Sequence, residues 1–430
     1  MTVTEMFQGL LNNIKVDNAA QITQRYEEIT RSLNNQFRDT ESKTANSLQV
    51  GSYGRWTAIK GVSDLDMLYI MPKGKWDDYK NDHSKLLTDT KDAIKARYPT
   101  TNVRVDRLVV TATYTNFHIE IQPVFEQEDG SFKYPDTYNG GSWKITKPRE
   151  EISAIKEFDA DKNKNLRRLC KMARAWKNKH GVGMGGLLID TLAYNFLQST
   201  TAYDDKSFLY YDWMSRDFFK FLMEQPNQDH YKALGSGQNV KVKKRFQKKA
   251  KKAYELSLKA IEAGDTDSAH NKWKKVYGRP FPAKAKQVTE DTITKAAMTW
   301  DDTEQFIEDL YPIDIRYNIN IDCEVSQKGF REHFLTQMLA KRIPLLANKN
   351  LLFSISSIGV PQPYDIKWKV LNRGFEAQNK NCVRGQIDPD NGYKNRKEST
   401  NFIGEHVVEC YAIKNGVVVA KDRIDVPIAA

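Results

Sequence analysis

"VGSYGRWTAIKGVSDLDMLYIM", residues 50–71, is the stretch on which the fold turns. Asp64 and Asp66 stand one residue apart at the mouth of an apolar run, Leu65 to Met71, that reads as a strand stopped by Pro72. Residues i and i+2 of a strand project from one face, so the two carboxylates point together. Like charges so placed repel unless a cation lies between them. Magnesium suits that position, because it takes oxygen ligands and is shared with substrate phosphates. Gly51-Ser52, a short loop upstream, supplies a phosphate cradle. Glycine lets backbone approach a ligand, N–H groups at the start of a following helix attract anions, and the serine hydroxyl donates to a phosphate.

A two-metal site needs a further carboxylate from a neighbouring strand. Glu120 in "FHIEIQPVF", residues 117–125, is the candidate, because Ile119 and Ile121 flank it and send their side chains to the opposite face. An isolated acid-x-acid pair is ordinarily a turn cap followed by an exposed strand residue. The Gly-Ser pair upstream and the apolar-flanked acid downstream make the catalytic reading the stronger one.

Outward from this core, Ile22, Tyr26, Ile29, Leu33 and Phe37 repeat at helical spacing and predict a helix over 20–38. A second helix is expected over 85–98, and strands over 103–114 and 117–125, joined by a turn at Thr115-Asn116. Residues 126–143, rich in Gly, Asp and Tyr, read as loop. Helices are expected over 163–179, 187–199, 213–224 and 241–263. Within the last, "KVKKRFQKKAKK" (241–252) reads first as a solvated lysine face, with a nucleic-acid or effector contact as the sharper alternative. Beyond residue 310 short alternating strands take over, as in Ile366-Trp368-Val370 and Ile424-Val426-Ile428, and Asn415-Gly416 marks a hairpin.

The expected organisation is a mixed α/β catalytic lobe over 1–145, an all-helical lobe over 146–305 and a β-rich domain over 306–430. A chain of 430 residues with 40% hydrophobic and 28% charged residues is ordinary for a globular protein. Its four cysteines form no CxxC pair and its seven histidines no HxxxH pair, which argues against a zinc or haem enzyme. No apolar run approaches a membrane span, and the N-terminus lacks a secretory pattern, so a cytoplasmic protein is expected. The net charge of +11 favours polyanionic partners.

The three motifs together, Val50-Gly51-Ser52, Asp64-Leu65-Asp66-Met67 and Ile119-Glu120-Ile121, resemble those of the DNA polymerase-β-like nucleotidyltransferases. Within that superfamily the stretch at 51–71 is similar to the bacterial cGAS/DncV-like nucleotidyltransferases, relatives of cyclic GMP–AMP synthase and oligoadenylate synthetase. "NLRRLCKMARAWKNKHG" and "GGLLIDTLAYNFL" resemble that family's helical half. "IKWKVLNRGFEA", "CVRGQI", "KESTNFIGEHVVECY" and "IDVPI" resemble the AGS-C sensor domain fused to some members. The resemblance implies a polymerase-β-like lobe braced by the helix at 20–38, with a helical lobe closing the nucleotide cleft.

It also implies a set of site residues. Asp64, Asp66 and Glu120 are expected to be catalytic and to bind two magnesium ions, with manganese as a substitute; glutamate stands at the third position, where aspartate is usual. Gly51, Ser52, Arg55, Thr57, Lys171 and Arg174 are expected to bind nucleotide. Arg167, Lys171 and Arg174 share one helix face, with a solvated basic face as the plainer alternative. Arg174 falls where relatives carry a triphosphate-binding lysine, and Gly185-Gly186 where they carry a serine, so this chain departs from the pattern at both.

The implied reaction joins NTPs such as ATP or GTP into short oligonucleotide second messengers, cyclic by resemblance, in anti-phage signalling. The product would reach a downstream effector, and room is left for a nucleic-acid or protein activator; no membrane partner is expected. Two alternatives stay open. One is a linear oligonucleotide synthetase or a transferase acting on a protein or RNA acceptor; the other is a non-catalytic nucleotide sensor.

Overall fold

Thr2 and Glu5 cap the first helix, α1 (Val3–Asn13), reciprocally: Glu5 N donates to Thr2 Oγ1 and Thr2 N to Glu5 Oε2 at 2.7 Å. A longer helix follows, α2 (Ala19–Arg38), within a residue of the expected span. The computed structural model describes residues 1–430 except 62, 283–303, 328, 373–376, 378–383, 401–402 and 430. Cys382, parts of the sequences quoted for the sensor domain, and the end of the expected helical lobe therefore lie outside the described residues. The chain divides into two compact units, Met1–Trp176 with Gly185–Ala283, and Lys177–Met184 with Lys284–Ala430.

In the first unit, β1 (Ser47–Gln49), α3 (Gly51–Gly54), β2 (Asp64–Ile70), α4 (Trp76–Tyr79), α5 (His83–Arg97), β3 (Asn102–Val105), β4 (Val110–Thr113) and β5 (His118–Glu126) build the mixed lobe. The sheet order is β1-β2-β5-β4-β3. One face of β2 and β5 sends Leu65, Met67, Tyr69, Ile119 and Ile121 into a core with Ile22, Tyr26, Ile29 and Leu33 of α2 and Leu86, Leu87 and Ile94 of α5. Each fully buried side chain of this size contributes roughly 1.5–3 kcal/mol. The strand expected over 103–114 is interrupted, because the chain turns back on itself at Asp106, whose N–H donates to Val109 O at 2.8 Å.

Residues 126–143 differ from the expected loop. They carry a hairpin, β6 (Phe132–Asp136) paired antiparallel with β7 (Ser142–Thr146), that continues from β5. Phe132 is buried in a small core with Val50, Leu68 and Val124, and Tyr134 packs against it. That burial outweighs the Gly-rich local signal.

Helices follow from Pro148 onward: α6 (Pro148–Asp161), α7 (Asn165–His180), α8 (Gly186–Gln198) and α9 (Tyr211–Glu224). A short hairpin of β8 (His230–Lys232) and β9 (Asn239–Lys241) separates these from α10 (Gln247–Glu262) and α11 (Asp267–Tyr277). The helix expected over 241–263 starts later: the lysine-rich run opens at the end of β9 and a non-helical stretch, and only residues 247–252 of it enter α10, whose buried stripe is small: Ala250, Ala253, Ser257 and Ala260.

The second unit is β-rich. One sheet has the order β11 (Phe330–Phe334), β10 (Ile319–Gln327), β13 (Asn350–Ile358), β16 (Asn395–Ser399). The other runs β12 (Leu345–Leu346), β18 (Val417–Ala429), β17 (Gly404–Lys414), β14 (Asp365–Leu371), β15 (Ile387–Pro389). Both sheets feed one core that includes Cys323, Phe353, Trp368, Cys410 and Val426. The β17–β18 hairpin turns at Asn415 (φ 54°) and Gly416 (φ 76°), as the Asn-Gly pair predicts. The segment Lys177–Met184 belongs to this unit: Lys177 Nζ lies 2.9 Å from Asp314 Oδ1, and Asn178 donates to Ile313 O at 3.1 Å.

Candidate active site

Parallel pairing of β2 with β5 sets the site. The register places Asp66 opposite Glu120 and Asp64 opposite His118. Asp64, Asp66 and Glu120 leave the sheet face opposite the helix-covered core, each partly exposed. Ligand oxygens of all three lie within 4.8 Å of one another. Ser63 donates to Asp64 Oδ1 at 3.0 Å, and the buried His118 holds Nε2 3.6 Å from Glu120 Oε1. Three hard oxygen donors gathered this closely suit a divalent cation that prefers oxygen.

Gly51 abuts this cluster. Val50 N donates to Asp66 O at 2.9 Å, which pins the loop to the end of β2. Gly51 has φ +63°, and a Cβ built on it would fall 1.8 Å from Asp66 Oδ2. Both the left-handed conformation and the contact with a carboxylate require glycine here. Ser52 follows on α3, and its carbonyl accepts from Thr57 N (2.9 Å) and Ala58 N (3.1 Å), closing the loop.

Arg55, Thr57 and Arg174, expected to contact nucleotide, direct polar groups inward instead. Asp190 of α8 accepts from Arg55 Nε at 2.9 Å, from Thr57 Oγ1 at 3.0 Å, and from Arg174 Nη1 and Nη2 at 2.5 and 2.9 Å. Arg55 Nη1 also donates to Glu151 Oε2 at 3.1 Å, and Ser236 donates to Glu151 Oε1 at 3.2 Å. Every member of this cluster except Ser236 is buried. Burial drives the Asp190 carboxyl upward, but the Arg174 and Arg55 charges prevail and hold it at about 2. Burial also raises Glu151, with the Arg55 charge and then the Ser236 hydrogen bond opposing it.

The two departures at 174 and 186 are linked in space. Arg174 Nη2 donates to Gly186 O at 3.1 Å, and a Cβ at 186 would lie 3.2 Å from that nitrogen. Glycine at 186 leaves the guanidinium room to reach the start of α8.

The other basic residues of α7 differ from Arg174. Lys171 is half-buried, and burial first, then the Arg167 charge, depresses its ammonium pKa. Arg167 sits 4.5 Å from the centroid of the Trp56 ring and 3.4 Å from Asp159 Oδ2. Sequence reasoning missed Asp190, Glu151, His118 and Trp56. Asp190 did carry a signal in "GGLLIDTLAYNFL", an acid within an apolar helix, the same kind of signal that marked Glu120.

Comparison with known proteins identifies two domains in the chain. Residues 1–159 match the Second Messenger Oligonucleotide or Dinucleotide Synthetase (SMODS) domain, and residues 301–429 the Adenylyl/Guanylyl and SMODS C-terminal sensor domain (AGS_C). No curated protein matches the sequence. Among solved structures, the chain is similar to CdnC of E. coli MS115-1 in its complex with HORMA-deltaN, with a TM-score of 0.51 at 15% identity over 65% of this chain and 98% of that one. CdnC with ATP gives a TM-score of 0.49 at 15% identity over 66% and 99%. Vibrio cholerae DncV, a cyclic AMP-GMP synthase, gives 0.45 at 14% identity over 65% and 87%. The acid cluster, the glycine that abuts it and the two domain matches lead to one conclusion: the chain belongs to the cGAS/DncV-like nucleotidyltransferases, with a C-terminal AGS-C sensor domain.

Proposed function

We propose that this protein is a magnesium-dependent nucleotidyltransferase that joins NTPs into short cyclic oligonucleotides and releases pyrophosphate. The observation that carries the proposal is the gathering of Asp64, Asp66 and Glu120 within 4.8 Å, beside a glycine that leaves no room for a side chain. Asp64 and Asp66 would hold both magnesium ions and Glu120 one of them, manganese serving as a substitute. Bound magnesium neutralises charge on the phosphoryl oxygens during transfer.

The chain's own groups do the rest. Gly51 and Ser52 receive the donor triphosphate, and Lys171, a half-buried cation on α7, offers it a charged contact. Arg55, Thr57 and Arg174 serve the nucleotide through Asp190, by fixing the loop that follows Ser52. An acceptor hydroxyl oxygen attacks the donor α-phosphorus. A new P–O bond forms, the bond to the β-phosphate oxygen breaks, and pyrophosphate leaves with that electron pair. A Glu120 carboxylate oxygen takes the hydroxyl proton. Repetition within one bound chain closes a ring. The setting we infer is the bacterial cytoplasm, in anti-phage signalling through an effector that binds the product. The relatedness to second-messenger synthetases supports this reading.

The test is incubation with all four NTPs and magnesium, then phosphatase and mass spectrometry. Phosphatase-resistant oligonucleotides are expected from the native chain and none from Asp64→Ala. Phosphatase-sensitive products would instead indicate a linear synthetase. Labelled protein or RNA would indicate a different acceptor, and bound NTP with no pyrophosphate released would indicate a sensor.

A further inference from the structure

Trp56 occupies a conformation that its side chain resists. Its φ is +56°, in the left-handed region, where a bulky L-residue is an outlier. Strain of this kind persists only where the surroundings impose it, and it gathers at ligand sites. The indole is also 50% exposed, whereas Trp176, Trp273 and Trp368 are each fully buried. A glycine at 56 would remove the strain, and a polar residue would remove the exposed apolar surface. Core packing therefore gives no account of tryptophan here.

The loop that presents it is firmly closed. Trp56 N donates to Tyr53 O at 3.0 Å, and Thr57 and Ala58 both return to Ser52 O. Thr57 is tied further to Asp190. The indole thus leaves the chain inside one turn that begins at Ser52. The Arg167 guanidinium, anchored by Asp159, covers the ring at 4.5 Å, and half of the residue's surface stays open to solvent. An aromatic ring backed by a guanidinium is a platform for a flat, electron-rich partner.

We propose that Trp56, backed by Arg167, is the seat on which the nucleobase of an NTP stacks. The larger face of a purine makes it the better occupant. The proposal rests on the reading of this site as an NTP site. It assigns the base to the loop that already carries the phosphate cradle, so that one closed turn holds both ends of the nucleotide.

The experiment combines kinetics with fluorescence. Pyrophosphate release is measured against ATP, GTP, CTP and UTP for native protein, Trp56→Gly, Trp56→Ala and Trp56→Phe. Loss of a stacking partner should raise KM for the purine nucleotides by roughly 5- to 150-fold in the Gly and Ala variants. The Phe variant should recover to within a few-fold. Trp56→Gly relieves the backbone strain, so its melting temperature should not fall, which separates a lost ligand contact from a loosened fold. Titration with the α,β-methylene analogue of ATP and magnesium should quench emission in native protein more than in Trp56→Phe.

Unchanged KM in both the Gly and Ala variants, with equal quenching in native and Phe proteins, would overturn the base seat while leaving nucleotide transfer standing. Native protein that releases no pyrophosphate yet shows the Trp56-dependent quench would do the reverse.

Discussion

Asp190→Asn is the substitution whose cost the structure fixes most sharply. The carboxylate is fully buried and accepts four hydrogen bonds, three of them from guanidinium groups. Arg55 and Arg174 are themselves only 5% and 6% exposed. Asparagine keeps the shape but removes the charge, and its NH2 group faces donors where an acceptor stood. The Arg55 guanidinium keeps its pairing with Glu151 at 3.1 Å, while both guanidiniums lose the Asp190 charge. Removing one partner of a buried ion pair costs about 3–5 kcal/mol, because the remaining charge is left uncompensated. Against a typical stability of about 5–15 kcal/mol this is a large fraction. For a unit of this size it corresponds to a fall in Tm of roughly 6–20 °C.

Urea and thermal unfolding followed by circular dichroism would measure it. The pairwise logic gives a second expectation. Arg174→Met should cost much less in the Asp190→Asn background than alone, since the ion pair between Arg174 and Asp190 has then already been lost. An Asp190→Asn protein within 1 kcal/mol of native, or strictly additive effects in the double variant, would refute the account.

Two further outcomes follow from the same residues. Gly51→Ala places a methyl group onto the Asp66 carboxylate and strains a φ of +63°. Pyrophosphate release should fall by on the order of 100-fold through displacement of Asp66, while the strain itself lowers stability by only about 1–2 kcal/mol; kinetics and melting measured together check this. For pH, Asp190 is held at about 2, below its ordinary value, so its stabilising contribution is present above about pH 4 and lost as pH falls through 2. Glu151 is raised, so its ionisation works against stability and its protonation on mild acidification works in favour. The difference in urea midpoint between native and Asp190→Asn proteins should therefore shrink steadily from pH 4 to pH 2.

Local signals carried far in this chain where they were periodic. The apolar stripe of α2 and the run after Asp64 gave their elements to within a residue or so, because a helix or strand that must bury one face repeats its apolar residues at a fixed spacing. Asn415-Gly416 located the β17–β18 turn for an equally local reason, since that turn needs positive φ at both positions. The hairpin at 132–146 was not legible, because its stability comes from Phe132 and Tyr134 packing with Val124 on Val50 and Leu68, residues distant in sequence. Arg55 and Arg174 show the same limit within the site. A basic residue beside a phosphate motif looks alike in sequence whether it faces a ligand or a buried Asp190.

What the amino-acid order determined by itself was chemistry and direction: two aspartates on one strand face, an acid among isoleucines, and a Gly-Ser pair suited to a phosphate. What only the tertiary structure decided was convergence. The parallel register of β2 and β5 brings Glu120 opposite Asp66, and Asp190 gathers two arginines and a threonine from elements far apart in the chain. The physical reason is that strand pairing and buried charge compensation are settled by long-range packing, which local periodicity does not encode.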